Sequence, residues 1–220
     1  MTVAQRHSKI LQKIRSHTKV NAELIAVSKL QPIDKIIALH RLGQRKFGEN
    51  YAQELADKAK ALEGLEIEWI FIGHIQSNKI RKIVSCANEI QTVASFSHAQ
   101  QIARHAKDLG KVPYPIMLEV NAGEELSKSG QALDQIKPLA DQIASELPEL
   151  RVRGLMAIPP DIYSDAACSA VPLLYQELRT LADQIGDGLL SLGMSNDMRL
   201  ALESGTNFVR VGTALFGSRP

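Results

Sequence analysis

Short apolar or β-branched runs alternate along this chain with longer segments whose apolar residues recur at helical spacing, and the alternation repeats eight times. No other feature constrains the fold as strongly, because strands that alternate with helices pair in parallel while each helix crosses over to cover the sheet. The runs occupy 24–29, 46–50, 68–73, 89–93, 116–121, 152–158, 189–194 and 208–212. Between them lie stripes such as Ile33-Ile36-Ile37-Leu39-Leu42, Leu55-Ala59-Leu62, Ile102-Ala106-Leu109 and Leu173-Leu174-Leu178-Leu181. Local punctuation agrees: Pro32 opens one helix and Gly43 closes it, and Ser97 precedes another that ends at Gly110 and Pro113. Ahead of the first run, Val3, Ile10, Leu11 and Ile14 share one side of a helix. The basic residues Arg6, Lys9, Lys13, Arg15 and Lys19 then read as its solvated face rather than as a targeting segment.

No linker rich in Gly, Ser or Pro divides the 220 residues, a length that suits one core better than two. The expected class is α/β: a (β/α)8 barrel of the TIM type spanning residues 1–220 as a single domain, with an additional N-terminal helix and no second domain. Eight units favour closure, because an open sheet of that width leaves edges for extra elements to cover. A doubly wound open sheet is the alternative, and either fold places a ligand at the C-terminal ends of its strands.

Composition narrows function by exclusion. A net charge of +2 and 5% aromatic residues supply neither the basic field nor the stacking platforms of a nucleic-acid binder, so nucleic acid is not an expected partner. Cys86 and Cys168 stand far apart with no C-x-x-C pattern, which fits a reducing, cytoplasmic setting and supports neither a disulfide framework nor a thiolate zinc site. The histidines form no H-x-H or H-E-x-x-H pattern, so no metal is expected. No apolar stretch approaches the length of a membrane span.

The chemistry gathers at the ends of the runs. Ile25, Val27 and Lys29 share one strand face, and if that face lines the barrel the amine stands at its mouth. A free lysine titrates near ~10.4, and desolvation moves it toward the neutral amine that attacks an aldehyde. A solvent-reaching cap on the rim is the plainer reading of such a lysine. Ser195, in Leu192-Gly193-Met194-Ser195-Asn196-Asp197-Met198, and Gly212-Thr213, in Arg210-Val211-Gly212-Thr213-Ala214-Leu215-Phe216-Gly217, fall in the two loops where these barrels recurrently hold phosphate. Taken singly, Ser195 reads equally as a helix N-cap and Gly212 as a tight turn. Arg210 shares a face with Phe208 and Gly212, so it points inward and needs an acceptor. That acceptor is either a ligand atom such as a pyridine nitrogen or a buried carboxylate, Glu203 or Glu119. An amine beside a phosphate cradle suggests a ligand that carries both a carbonyl and a phosphate.

Several ordered segments carry a resemblance. They are Ala26-Val27-Ser28-Lys29, Phe47-Gly48-Glu49-Asn50-Tyr51 with Gln53-Glu54, and Phe71-Ile72-Gly73-His74-Ile75-Gln76-Ser77-Asn78-Lys79. Asn121 with Glu125, Lys128 and Gly130, then Arg153-Gly154-Leu155-Met156, lead into the two C-terminal loops. The chain thereby resembles the pyridoxal phosphate homeostasis protein family, whose barrel is similar to the N-terminal domain of bacterial alanine racemases; His74 departs from the proline often found at its position. The resemblance implies that Lys29 is the Schiff-base lysine for pyridoxal 5'-phosphate, that Ser195, Gly212 and Thr213 bind the phosphate, and that Arg210 meets the pyridine nitrogen. It also implies that Asn50 and Met156 line the ring. The implied role is to buffer the cofactor or deliver it to apo-enzymes, maintaining vitamin B6 and amino-acid pools, rather than to turn over a substrate.

Racemisation needs a base on each face of the bound cofactor, and one of them can be the lysine. In alanine racemases the other is a tyrosine from a β-rich domain of a partner subunit, and no residues here are left over for such a domain. Of Tyr51, Tyr114, Tyr163 and Tyr175, only Tyr51 lies near the predicted mouth. A monomeric binder is the expectation, since the racemase dimerisation domain is lacking, and a racemase of low activity is the alternative.

Overall fold

A computed structural model describes residues 1–123 and 129–217; Glu125 and Lys128 of the quoted segments lie outside them. The chain runs α1 (Val3–His17), β1 (Glu23–Val27), α2 (Ile33–Arg41), β2 (Lys46–Glu49), α3 (Ala52–Ala61), β3 (Glu68–Phe71) and α4 (Ile80–Cys86). It continues through β4 (Glu89–Val93), α5 (Phe96–Asp108), β5 (Tyr114–Val120), α6 (Leu133–Glu146), β6 (Leu150–Ala157) and α7 (Leu173–Ala182). The last elements are β7 (Leu189–Ser191), α8 (Met198–Glu203), β8 (Phe208–Val211) and α9 (Thr213–Phe216). All eight runs are strands, and they close in chain order into a parallel barrel whose seam pairs Glu23 with Phe208 and Ala26 with Val211. The open doubly wound sheet is thereby excluded. Among the described residues no helix is long and apolar enough to cross a membrane.

The ends of the strands differ from the sequence reading in a consistent way. β1 stops at Val27, two residues short of Lys29, and β7 stops at Ser191. The ladder ends where the chain must lift off toward the next helix, whereas the apolar run continues into the turn. β5 and β6 begin earlier than read, at Tyr114 and Leu150, because these two strands pair along their whole length. Helix α5 is capped by Ser95, whose Oγ accepts the His98 N–H at 3.2 Å, so Ser97 lies inside the first turn rather than ahead of it.

Alternation along each strand creates two cores. Outward side chains such as Phe47, Phe71, Leu118 and Val209 pack against the buried stripes of the helices, where a fully buried leucine or isoleucine contributes roughly 1.5–3 kcal/mol. Inward side chains Ile25, Ile70, Met117, Met156 and Phe208 fill the lumen. Beneath them Glu89 pairs with Arg153, and Lys46 bridges Glu23 at 2.8 Å and Glu68 at 3.0 Å. Helix α1 buries His7, Ile10 and Ile14 and ties down the end of the barrel through Arg6, which donates to the carbonyls of Leu215 (2.7 Å) and Phe216 (3.1 Å).

Candidate functional site

Above the lumen cluster, at the C-terminal ends of the strands, lies a cavity of about 400 Å3. Val27, Ile72 and Arg210 line it, each two residues beyond a member of the apolar cluster on the same strand face, so that cluster forms its base. Lys29, Asn50, Met156, Ser195, Arg210, Gly212 and Thr213, drawn from five separate β-α junctions, all border this one space.

Lys29 sits half-buried on the turn after β1. Ser195 is in the loop after β7, which is shaped by Asp197: its carboxylate accepts the Met194 N–H and the Tyr175 hydroxyl, each at 2.7 Å. The N-cap position of α8 is Asp197, so Ser195 is not the cap and its hydroxyl is not committed to that helix. Gly193 opens the loop at φ +97°, and a Cβ there would stand 2.4 Å from that of Ala201, so the turn requires glycine. Gly212 is different: its φ is −108° and an added Cβ would come no nearer than 3.4 Å to the Val27 carbonyl oxygen, so no neighbour among the described residues demands glycine there. A ligand approaching the backbone would.

Arg210 is 4% exposed and is held by neutral groups. Nη1 donates to the Ser191 carbonyl (2.7 Å) and Oγ (2.8 Å), and Nη2 to the Ala157 carbonyl (2.8 Å). The Ser191 hydroxyl donates in turn to Gln91 Oε1 at 2.8 Å, and Gln91 donates to Glu89 at 2.6 Å. With five N–H donors on a guanidinium, Nε–H and one Nη2–H remain. Burial lowers the Arg210 pKa to about 10, with Asp197 and Glu119 opposing, so the cation persists at neutral pH. Of its two candidate carboxylate partners, Glu203 pairs with Arg199 at 3.0 Å, while Glu119 acts on Arg210 through charge alone. Burial pushes Glu119 up to about 7, Arg210 pulling the other way.

The cavity wall also holds a buried carboxamide oxygen, Asn50 Oδ1, with no hydrogen-bond partner among the described residues. Such an atom asks for a donor on a ligand. Sequence reasoning missed the opposite wall, Ile158, Pro159, Pro160, Asp161 and Tyr163, because the segment between β6 and α7 carries no periodicity. Among the tyrosines, Tyr163 borders this space, while Tyr51, next to Asn50 at the mouth, borders the neighbouring hollows. Among the described residues no group of histidine, cysteine or carboxylate side chains could hold a metal ion.

Together these groups define a barrel protein that receives a small, flat, anionic ligand at its mouth, with an amine near one end and an arginine cation deep in the wall. Residues 6–220 match the family described as Alanine racemase, N-terminal domain. A pyridoxal phosphate homeostasis protein of Pseudomonas aeruginosa is 38% identical over 99% of this chain and 96% of its own length. The solved structure of PipY from Synechococcus elongatus with PLP bound superposes with a TM-score of 0.83 at 34% identity, covering 98% of this chain and 100% of that one. The alanine racemase of Corynebacterium glutamicum shares the fold at a TM-score of 0.74 and 16% identity, and this chain spans 60% of it. The chain belongs to the pyridoxal phosphate homeostasis protein family.

Proposed function

We propose that this protein binds pyridoxal 5'-phosphate through Lys29 and holds it for transfer to apo-enzymes, without turning over a substrate of its own. The reading rests on the convergence of seven residues from five junctions on one cavity. When bound, the cofactor supplies an aldehyde that condenses with an amine. Lys29 offers that amine; Ser195, Thr213 and the backbone at Gly212 receive the phosphate; Asn50 Oδ1 accepts from a hydroxyl on the ring. Arg210 would donate one of its two remaining N–H groups to the ring nitrogen. A cation there keeps that nitrogen unprotonated and so weakens the ring as an electron sink, which suits storage better than carbanion chemistry.

The purified protein should be yellow, with an absorbance that borohydride bleaches and that Lys29→Ala abolishes. A colourless protein that takes up no pyridoxal phosphate would overturn the reading. One observation favours a second role, low racemase activity: Tyr163 borders the cavity with its ring edge-on to Tyr175, 5.9 Å between centroids. Exchange of the α-hydrogen of free amino acids at a catalytic rate, lost in Tyr163→Phe, would establish that role instead.

A further inference from the structure

The turn that carries Lys29 has a strained neighbour. Leu30 is the one non-glycine residue with positive φ (+58°) among the described residues, and at 47% exposure its side chain gains little by being there. Its conformation is held instead by its backbone N–H, which donates to Glu54 Oε1 at 2.6 Å. On the other side of the lysine, the Ser28 hydroxyl donates to Glu49 Oε1 at 2.6 Å, and the Ser28 carbonyl accepts from Lys58 Nζ at 2.6 Å. Lys58 closes the arrangement with 2.7 Å contacts to both Glu49 and Glu54. Its three ammonium hydrogens are thereby spent on three acceptors.

None of the three charged residues borders the cavity. Glu49 points outward from β2 with its side chain fully buried, and Lys58 reaches in from α3 with its side chain 6% exposed. Burial raises the Glu49 pKa, with Lys58 and Ser28 pulling it back. Desolvating such charges is a costly way to pack a helix on a strand, and apolar residues of similar volume would do it at least as well. What the charges do, and an apolar contact could not, is grip polar atoms on both flanks of Lys29.

We infer that Glu49, Lys58 and Glu54 form a clamp that positions the Lys29 amine for bond formation with the cofactor, acting through Ser28 and Leu30. This rests on the reading of Lys29 given above. In the step concerned, the lysine nitrogen attacks the aldehyde carbon, the new C=N bond replaces the C=O bond, and the oxygen departs as water with the two amine protons. A loosened turn slows that step without altering recognition of phosphate and ring.

The test uses the full chain and two ligands. Adduct formed with pyridoxal phosphate is fixed by borohydride at timed intervals and located on Lys29 by peptide mass spectrometry; affinity for pyridoxine phosphate, which has no aldehyde, is measured by calorimetry. Lys58→Met should slow adduct formation by roughly tenfold and Glu54→Gln by about threefold, while pyridoxine phosphate binds within about twofold of the unmodified protein. Glu54→Gln, at a partly exposed position, keeps the test open if Lys58→Met does not fold. Unchanged adduct rates in the variants would overturn the clamp alone, and so would a parallel loss of pyridoxine phosphate affinity, which would mark general damage to the pocket. An unmodified protein that binds pyridoxine phosphate yet gives no adduct on Lys29 would overturn the functional reading itself.

Discussion

The two ends of the cavity are held by different chemistry. At the amine end, the residues on either side of Lys29 hang from ionised side chains, Glu49, Lys58 and Glu54. At the arginine end, Arg210 is seated on two backbone carbonyls and a serine hydroxyl backed by Gln91. A seat of carbonyls and amides does not respond to protons, whereas a cluster of buried charges does. The end that carries the lysine is therefore adjustable, and the end that carries the arginine is fixed.

Lys58→Met should separate the two ends most sharply, costing about 4 kcal/mol of stability at about pH 8, because it leaves Glu49 buried without its cation. The Glu49 pKa already lies above 4.5, and without Lys58 it rises further, so the ionised form is penalised increasingly as pH rises. The loss should shrink as pH falls and Glu49 takes up its proton; urea unfolding at several pH values that gave a constant loss would break the contrast.

Glu119 probes the other end, since it faces Arg210 without holding it. Its folded pKa of about 7 lies above the ordinary 4.5, so stability is undiminished at acid pH, declines as pH rises toward 7 and stays reduced above. Glu119→Gln should raise the unfolding free energy by about 3 kcal/mol at about pH 8 and leave it unchanged near pH ~4. A gain below ~1 kcal/mol at the higher pH would mean that Glu119 is a true ion partner of Arg210, and the two ends would then be alike. The smallest expected effect is that of Ser191→Ala, a loss of about 1 kcal/mol that is equal at about pH 5 and about pH 8 because neither serine nor glutamine titrates. Pronounced pH dependence there would show that the Glu89–Arg153 pair is felt through Gln91.

The sequence carried the barrel because alternation and helical period survive in one dimension: each of the eight runs became a strand in order. Lys29, Ser195, Arg210, Gly212 and Thr213 border one cavity, and their place there was legible because strand ends and the last two loops of such a barrel face its mouth. The clamp was harder to see. Glu49 and Glu54 carry no motif of their own, and Lys58 interrupts the buried stripe that runs from Leu55 on α3 to Leu62 at its C-cap. A charge on a buried stripe is a legible signal, but its partners lie on another element and only the fold brings them together. Tyr163 left no trace of its place, since nothing in an aperiodic loop says which of its residues will fold back over the mouth.

Ile25, Ile70, Met117, Met156 and Phe208 have a bearing on traffic. They brick up the passage under the cavity, so a guest must leave by the doorway through which it came. Under the proposed reading, anything that collected it would do so at that threshold, near which Leu30, next to the lysine, and Tyr51, next to Asn50, stand exposed.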